Sequence, residues 1–273
     1  MKTQSTRLLS LTLLALALGA CATVPETGRQ QLISPLITPA DEAKMGLDAF
    51  DQIKKEEKIS TDPVATARVK RVGERIASSV GREMPDAKWE FVLFASDQVN
   101  AFALPGGKVG VYTGLLKLVS SDDELAVVVG HEIAHVTSRH GAERMTQNQI
   151  ANLGALVGSA YLNYKGVSAG TQNLLMGAYG LGAQAGVLLP FSRAHEHEAD
   201  KIGLRFAAQA GYDPRAGASF WKKMSAAKNG QQASILEKYL STHPLDADRI
   251  ANLEKLAPEY MPVYEKAKLR YKK

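Results

Sequence analysis

The chain has 273 residues, 45% of them hydrophobic and 22% charged, which is the balance of a globular protein with enough length to bury a sizeable core as one or two domains. Its formal charge is +5, or +3 without Lys2 and Arg7, too small and too dispersed a surplus to argue for nucleic acid as a partner. Cys21 is the only cysteine, so no internal disulfide can form and the fold must hold by its core and any bound metal.

Residues 1–20 read as a targeting segment. Lys2 and Arg7 form a positive start, and Leu8 to Leu18 is an apolar run too short to span a bilayer comfortably. The run ends Leu18-Gly19-Ala20-Cys21, which resembles a bacterial lipobox with Cys21 as the acylated new N-terminus. Residue 22 is alanine rather than aspartate, and by the sorting rule of Gram-negative lipoproteins this implies a bacterial cell envelope location, lipid-anchored at the outer membrane and facing the periplasm. Residues 21–40 carry Pro25, Gly28, Pro35 and Pro39 with no strong period and read as a tether.

A helix is predicted from Thr38-Pro39, with acidic Asp41 and Glu42 in its first turn, and a second over Pro63 to Gly81, where Val64, Val69, Val72, Ile76 and Val80 recur near helical spacing. Trp89 to Ala95, Asn100 to Pro105 and Lys108 to Thr113 read as three strands of a small antiparallel sheet, the last two joined by a turn at Pro105-Gly106-Gly107. An extended peptide can add to an open sheet edge through main-chain hydrogen bonds. Ser121-Asp122-Asp123-Glu124 is a capping box ahead of an apolar run, and the helix it starts is expected to continue to about His140, with Gly141 ending it.

That helix carries His131-Glu132-Ile133-Ala134-His135. Histidines four apart lie one turn apart on one face, so both imidazoles can reach one metal ion, and Glu132 can take a proton from a water at the open position. Leu125 to Val129 make the preceding turn apolar, and a buried pair of histidines with a glutamate needs partners. The catalytic zinc arrangement needs three protein ligands and one open position. A third histidine shortly downstream would require glycine at 138 and histidine at 141, where Ser138 and Gly141 stand, so that pattern fails. His140 lies about 140° round the helix from His135 and reads as a surface residue.

Residues 145–192 hold one charge, Lys165, with frequent Gly and Ala and scattered Asn and Gln, and read as a buried helix pair or a lid in preference to a membrane hairpin. Phe191-Ser192-Arg193 opens another helix, running to about Gly211, with His195, Glu196, His197, Glu198 and Asp200 near its start. Glu196 and Asp200 are i,i+4 on one face, so Glu196 can bind metal while Asp200 accepts a hydrogen bond from a ligand histidine; His195 and His197 stay open as alternatives. The next helix presents Phe220, Trp221 and Met224 to a core, Ser241-Thr242-His243-Pro244 is a turn, Asp246 to Leu256 is a short helix, and the tail is basic and solvated.

These pieces together resemble the HtpX/BepA-like zinc metallopeptidases, the wider family that includes the CaaX prenyl proteases. The carriers are Asn100-Ala101-Phe102-Ala103-Leu104-Pro105-Gly106-Gly107, the His131–His135 motif, Ser192-Arg193 with Glu196, Ala199, Asp200 and Gly203, then Gly211-Tyr212-Asp213-Pro214, and His243-Pro244 with Arg249. The resemblance implies a mainly helical α+β fold of zincin type over residues 41–273, with the small sheet beside the metal helix. It implies one Zn²⁺ per chain on His131, His135 and Glu196, with Asp200 behind the ligands. Glu132 is then the base, and His243 faces the metal as oxyanion stabiliser or removable fourth ligand, with Arg249 near it. Asn100, Ala101, Phe102 and Ala103 receive a polypeptide substrate, misfolded or unassembled envelope proteins by the family's habit, with envelope assembly machinery as a further partner. The chain lacks the long transmembrane helices of the membrane-embedded members and resembles the soluble, lipoprotein branch. Two rival readings are a zinc-containing chaperone or assembly factor with a capped, non-catalytic site, and a membrane-integrated protease with residues 145–192 in the bilayer.

Overall fold

The computed structural model describes residues 21–183, 189–228, 233–245 and 247–271. The expected signal segment, 1–20, lies outside the described residues. The chain clusters into two compact units, one of residues up to Thr38 with Arg139–Ser192, the other of Pro39–Ser138 with Arg193–Lys273.

In the first unit, the region expected to be a tether folds as a hairpin of β1 (Cys21–Thr23) and β2 (Gln30–Leu32). Gly28 at φ +70° makes its turn, and strands of three residues are too short to show a period in sequence. Two helices follow in this unit, α5 (His140–Tyr164) and α6 (Ala169–Ala183). Ile33, Ile37 and Ala142 form a small core with Ala22 against it. The buried Glu143 carboxylate is held by Arg29 through bonds of 3.1 and 2.9 Å. Beyond that base the helix pair is exposed, not buried as its low charge suggested.

The second unit carries the metal helix. Here α1 (Pro39–Glu56) and α2 (Pro63–Val80) form as expected, α2 capped by the Asp62 carboxylate, which accepts from the N–H groups of Val64 and Ala65. The sheet consists of β3 (Glu90–Phe94), β4 (Ala101–Leu104) and β5 (Lys108–Tyr112). Its order is β3-β5-β4. The β4–β5 hairpin is antiparallel, turning at Gly106 and Gly107 with φ of +86° and +85°. β3 joins β5 in parallel, so the sheet is mixed rather than wholly antiparallel. The free side of β3 is covered, because Ser60 N–H donates to Leu93 and Ala95 N–H to Lys58. Among the described residues no strand pairs with the other side of β4.

After the short α3 (Thr113–Leu118), α4 (Asp122–Thr137) is capped by Ser121, whose hydroxyl accepts from Glu124 N–H at 3.2 Å, and is buried from Glu124 to Ala134. It stops earlier than expected, because Arg139 adopts a left-handed φ of 53° before α5 begins. His140 is correspondingly 1% exposed, not a surface residue. The remaining helices are α7 (Leu189–Gln209), α8 (Ala216–Lys228), α9 (Ala233–Thr242) and α10 (Ala247–Lys268). α10 runs well beyond Leu256, through Pro258 and Pro262, and buries Ala257 and Ala267, so the tail expected to be solvated is largely helical and partly packed.

Candidate metal centre

The site is set by a close crossing of α4 and α7. A Cβ on Gly130 would stand 2.8 Å from the Gly203 carbonyl oxygen, and one on Gly203 would stand 2.8 Å from the His131 nitrogen. Two glycines therefore let the helix backbones touch, and that contact brings His131 against the side chains one and two turns earlier on α7. Further along, α4 is fastened to α8 by Lys223, whose ammonium reaches Glu124 at 2.7 Å.

Four donors converge there. His131 Nε2 lies 3.1 Å from His135 Nε2 and 3.2 Å from His243 Nδ1. Glu196 presents Oε2 at 3.3 Å from His131 Nε2 and Oε1 at 3.4 Å from His135 Nε2, and its Oε2 lies 3.2 Å from His243 Nδ1. All four residues offer ligand atoms within 4.8 Å of one another. Atoms bound tetrahedrally at zinc-like distances of about 2.0–2.1 Å stand about 3.3 Å apart. The cluster has those edges. Glu196 Oε1 is buried with no hydrogen bond, an arrangement that costs free energy unless a cation is its partner. The donor set fits a metal ion.

The surroundings orient the donors. Asp200 Oδ1 lies 2.9 Å from His131 Nδ1, which puts the proton on that nitrogen and leaves the Nε2 lone pair facing the cluster. Burial disfavours a charged His131, but Asp200 and Glu196 outweigh it and raise the ring's pKa to about 9. Arg249 is 1% exposed and grips Asp200 through two bonds of 2.8 and 2.7 Å, with a third contact of 2.8 Å to Glu196 Oε2. Burial alone would push the Asp200 carboxyl up, yet the Arg249 charge holds it down at about 2. Glu196 is likewise held well below the usual carboxylate range, burial being outweighed by the facing imidazoles of His135, His243 and His131.

The Glu132 carboxylate sits beside the cluster, with Oε1 accepting from the Tyr239 hydroxyl at 3.1 Å and lying 3.5 Å from His243 Nε2. Tyr239 is fully buried, and burial with the Glu132 charge keeps its phenol protonated. Its ring packs on His243 at 4.6 Å and on Trp221 at 6.0 Å, and Trp221 in turn carries the Arg249 guanidinium 3.8 Å from its ring centre. Sequence reasoning missed Tyr239 and the role of Trp221. The one signal was spacing: Tyr239 and His243 are one helical turn apart.

The structure thus brings together His131, Glu132, His135, Glu196, Asp200, His243 and Arg249. It does not bring the alternative ligands: His195 is buried outside the cluster, and His197 Nδ1 pairs with Asn252 Nδ2 at 3.2 Å. Asn100 to Ala103 lie on and just before β4, an edge strand with no second partner strand among the described residues, and the Asn100 carbonyl accepts from Tyr112 N–H at 3.0 Å. Cys21 starts β1.

Residues 63–257 match Peptidase family M48. The chain is 36% identical over 221 residues to the mitochondrial metalloendopeptidase OMA1 of Schizosaccharomyces pombe, covering 80% of this chain and 61% of that one. It is 42% identical over 156 residues to the Arabidopsis thaliana protein of the same name, covering 57% and 29%. It is 32% identical over 224 residues to the beta-barrel assembly-enhancing protease of Yersinia pestis, covering 81% and 45%. The chain therefore spans less than two thirds of the length of each of these relatives. Kinship with enzymes named as mitochondrial overturns the bacterial outer-membrane location expected from residues 1–22. The matched span contains every donor of the cluster, and the chain belongs to peptidase family M48, the metal-dependent hydrolases of peptide bonds.

Proposed function

We propose that this chain is a zinc-dependent endopeptidase acting on misfolded or unassembled polypeptides. The observation that carries the reading is the convergence of His131, His135 and Glu196 with the Glu132 carboxylate beside them. Zinc held by the three ligands supplies a Lewis acid that polarises a carbonyl and acidifies water near neutral pH. Glu132 takes the proton of the attacking water on the carboxylate oxygen that does not face Tyr239 and later delivers it to the leaving amine. Tyr239 holds that carboxylate in place through its hydroxyl. His243, between Glu132 and Glu196, is placed to donate to the oxyanion. The open side of β4 offers main-chain groups to an extended peptide, which suits a broad range of unfolded sequences. The names of the relatives, endopeptidases and an assembly-enhancing protease, support polypeptide as the substrate.

Zinc content and casein cleavage, measured on the parent and on Glu132→Gln, test this reading. The expected result is about one zinc per chain in both and cleavage in the parent alone. Equal cleavage by both would overturn the base assignment, and zinc-free protein would overturn the centre.

A second reading rests on a specific observation: His243 Nδ1 occupies the fourth corner of the cluster, 3.2 Å from both His131 and Glu196. A closed four-ligand site is the structural kind, so the resting enzyme is latent with His243 in place. His243→Ala then raises cleavage if capping dominates and lowers it if oxyanion donation dominates.

A further inference from the structure

The sheet has a second edge that the metal centre does not use. Residues 58–60 cover the free side of β3 only over its second half. Their two backbone bonds reach Leu93 and Ala95, Ile59 bridges Phe94 in antiparallel fashion, and the chain then leaves at Asp62 to cap α2. Along β3, Glu90, Val92 and Phe94 turn their N–H and carbonyl groups towards β5, in the register fixed by the bond from Glu90 N–H to the Gly107 carbonyl, so those of Phe91 point the other way. Among the described residues no backbone group outside the sheet takes up the Phe91 pair. A groove of about 500 Å³ runs along this stretch. All five consecutive residues from Trp89 to Leu93 line it, from both faces of the strand, so it follows the strand's edge rather than one face. Its wall is Thr66, Lys70 and Glu74, one stripe of α2 at intervals of four residues, and Ile59 stands at the covered end.

We propose that this open half-edge is a second peptide-binding site, on the opposite side of the sheet from β4, which takes an extended apolar segment of the polypeptide substrate as an added strand. The chain itself displays the mode: residues 58–60 occupy the other half of the same edge through main-chain bonds, and an added segment continues that pairing onto Phe91. The alternation along β3 sets the chemistry of the segment. Trp89, Phe91 and Leu93 share one face. The Trp89 and Phe91 rings stack at 6.0 Å with 4° between their planes, and the Phe91 ring lies on the bare backbone of α2 at Gly73, where a Cβ would stand 2.3 Å from it. On the other face Glu90 is already held by Lys54 at 3.0 Å and by Lys108 at 3.2 Å. The groove therefore favours apolar side chains at alternate positions and asks for no charge. A second copy of this chain does not fit, because its own β3 arrives with its own α2 and its own covering segment, whereas a groove recessed between α2 and residues 58–60 admits only a bare strand.

The use of such a site follows from the strand order β3-β5-β4. The two outer edges are two strand spacings apart, about 10 Å, so one unfolded chain can lay one segment on β4 and another on β3. Holding the second segment raises the local concentration of the first without any contact at the bond to be cut. Long unfolded chains are then favoured over short peptides. The inference rests on the function proposed above in taking unfolded polypeptide as the substrate and β4 as its first edge.

The test uses the full chain. Lys70→Trp fills the groove from an exposed wall position, and Trp89→Ala strips its floor. Both are expected to raise KM for unfolded casein about three- to tenfold, with kcat unchanged and with cleavage of a short fluorogenic peptide at the parental rate. That unchanged peptide cleavage separates the effect from a loss of fold. A second measurement needs no turnover: in the Glu132→Gln background, a photoreactive benzoyl-phenylalanine at position 66, on the groove wall, is expected to capture casein, and the same probe at exposed position 67 to capture little. Capture at 66 by a chain whose parent cleaves nothing would take down the proposed reaction and leave the groove standing. Casein kinetics unaltered in both variants, with no capture at 66, would take down the groove and leave the reaction standing. Capture of a second copy of the chain in place of casein would make this edge a dimer contact and overturn the proposal.

Discussion

Tyr239 shows how one buried side chain serves two neighbours. Its hydroxyl donates to Glu132 and its ring packs on His243, so it ties the Glu132 carboxylate to the residue at the fourth corner of the cluster. A hydrogen bond to a charged group contributes about 1.5–3 kcal/mol. Tyr239→Phe keeps the ring and loses that bond, so kcat/KM is expected to fall roughly 10- to 100-fold with zinc content unchanged; steady-state kinetics with metal analysis checks both, and an unaltered rate would remove the phenol from the machinery. Asp200 faces the His131 ring instead. Asp200→Asn weakens the partner that fixes the His131 ring, and metal affinity measured by competition with a chelator is expected to fall about 10- to 100-fold. The two histidines and Glu132 were legible in sequence because one helical turn fixes their geometry. Glu196 was legible only as one of several donors, since the choice among Glu196, His195 and His197 depends on which face of α7 meets α4. Tyr239 could be read only from its spacing one helical turn before His243, because nothing else local says that α9 turns that face inward.

The crossing of α4 and α7 governs the site at the scale of elements. Gly203 was visible as part of a motif, but its purpose, a backbone contact with His131, needs the second helix in view. Gly203→Ala is expected to push the helices apart, destabilising by about 1–3 kcal/mol and weakening metal binding in the same variant. Thermal melting and zinc titration read the two effects; a variant with normal metal affinity would mean that the crossing does not set the ligand geometry. The start of α4 is held separately. The Asp122 carboxylate receives Arg68 and Arg71 from α2 at 2.7 Å each. Burial pushes its pKa up, and the two guanidinium groups outweigh that and hold it below the usual 3.8. A group whose pKa is depressed on folding contributes stability above its unfolded value and loses it as pH falls through the folded one. Asp122→Asn is therefore expected to cost about 1 kcal/mol near neutral pH, after allowance for exposure, and the deficit should shrink below about pH 4. Denaturant melts at several pH values measure it, and a deficit constant down to strongly acid pH would refute the ion-pair account. Where a capping box or an acidic first turn marked a helix start, as in α4 and α1, or an amphipathic period ran along it, as in α2, sequence placed the elements well. It failed where tertiary context overrode a local rule: at β1 and β2, too short for a period, at α10, which runs through two prolines, and at β3, whose parallel partner is not its neighbour in sequence.

At the scale of the whole molecule, the metal centre and the core are separable. The second unit buries Phe50, Phe94 and Tyr112 in an aromatic cluster extended by Phe102, at ring separations of 5.4 to 6.4 Å, built without any ligand residue. The buried carboxylates of the centre also have a resident cation, since Arg249 contacts both Glu196 and Asp200. Removing the ion therefore does not strip the interior of compensating positive charge, unlike small domains whose fold is the metal site. Metal that binds only the folded chain adds about 2.7 kcal/mol at a hundred times its dissociation constant. For a domain of this size each kcal/mol moves the melting temperature about 2–4 °C. Chelation is thus expected to abolish peptidase activity, lower the melting temperature by about 5–10 °C, and leave the helical circular dichroism intact, with activity and melting temperature restored by returning zinc. Loss of the helical signal on chelation would show that the centre nucleates the fold. Retained activity after verified zinc removal would show that catalysis does not pass through His131, His135 and Glu196 at all.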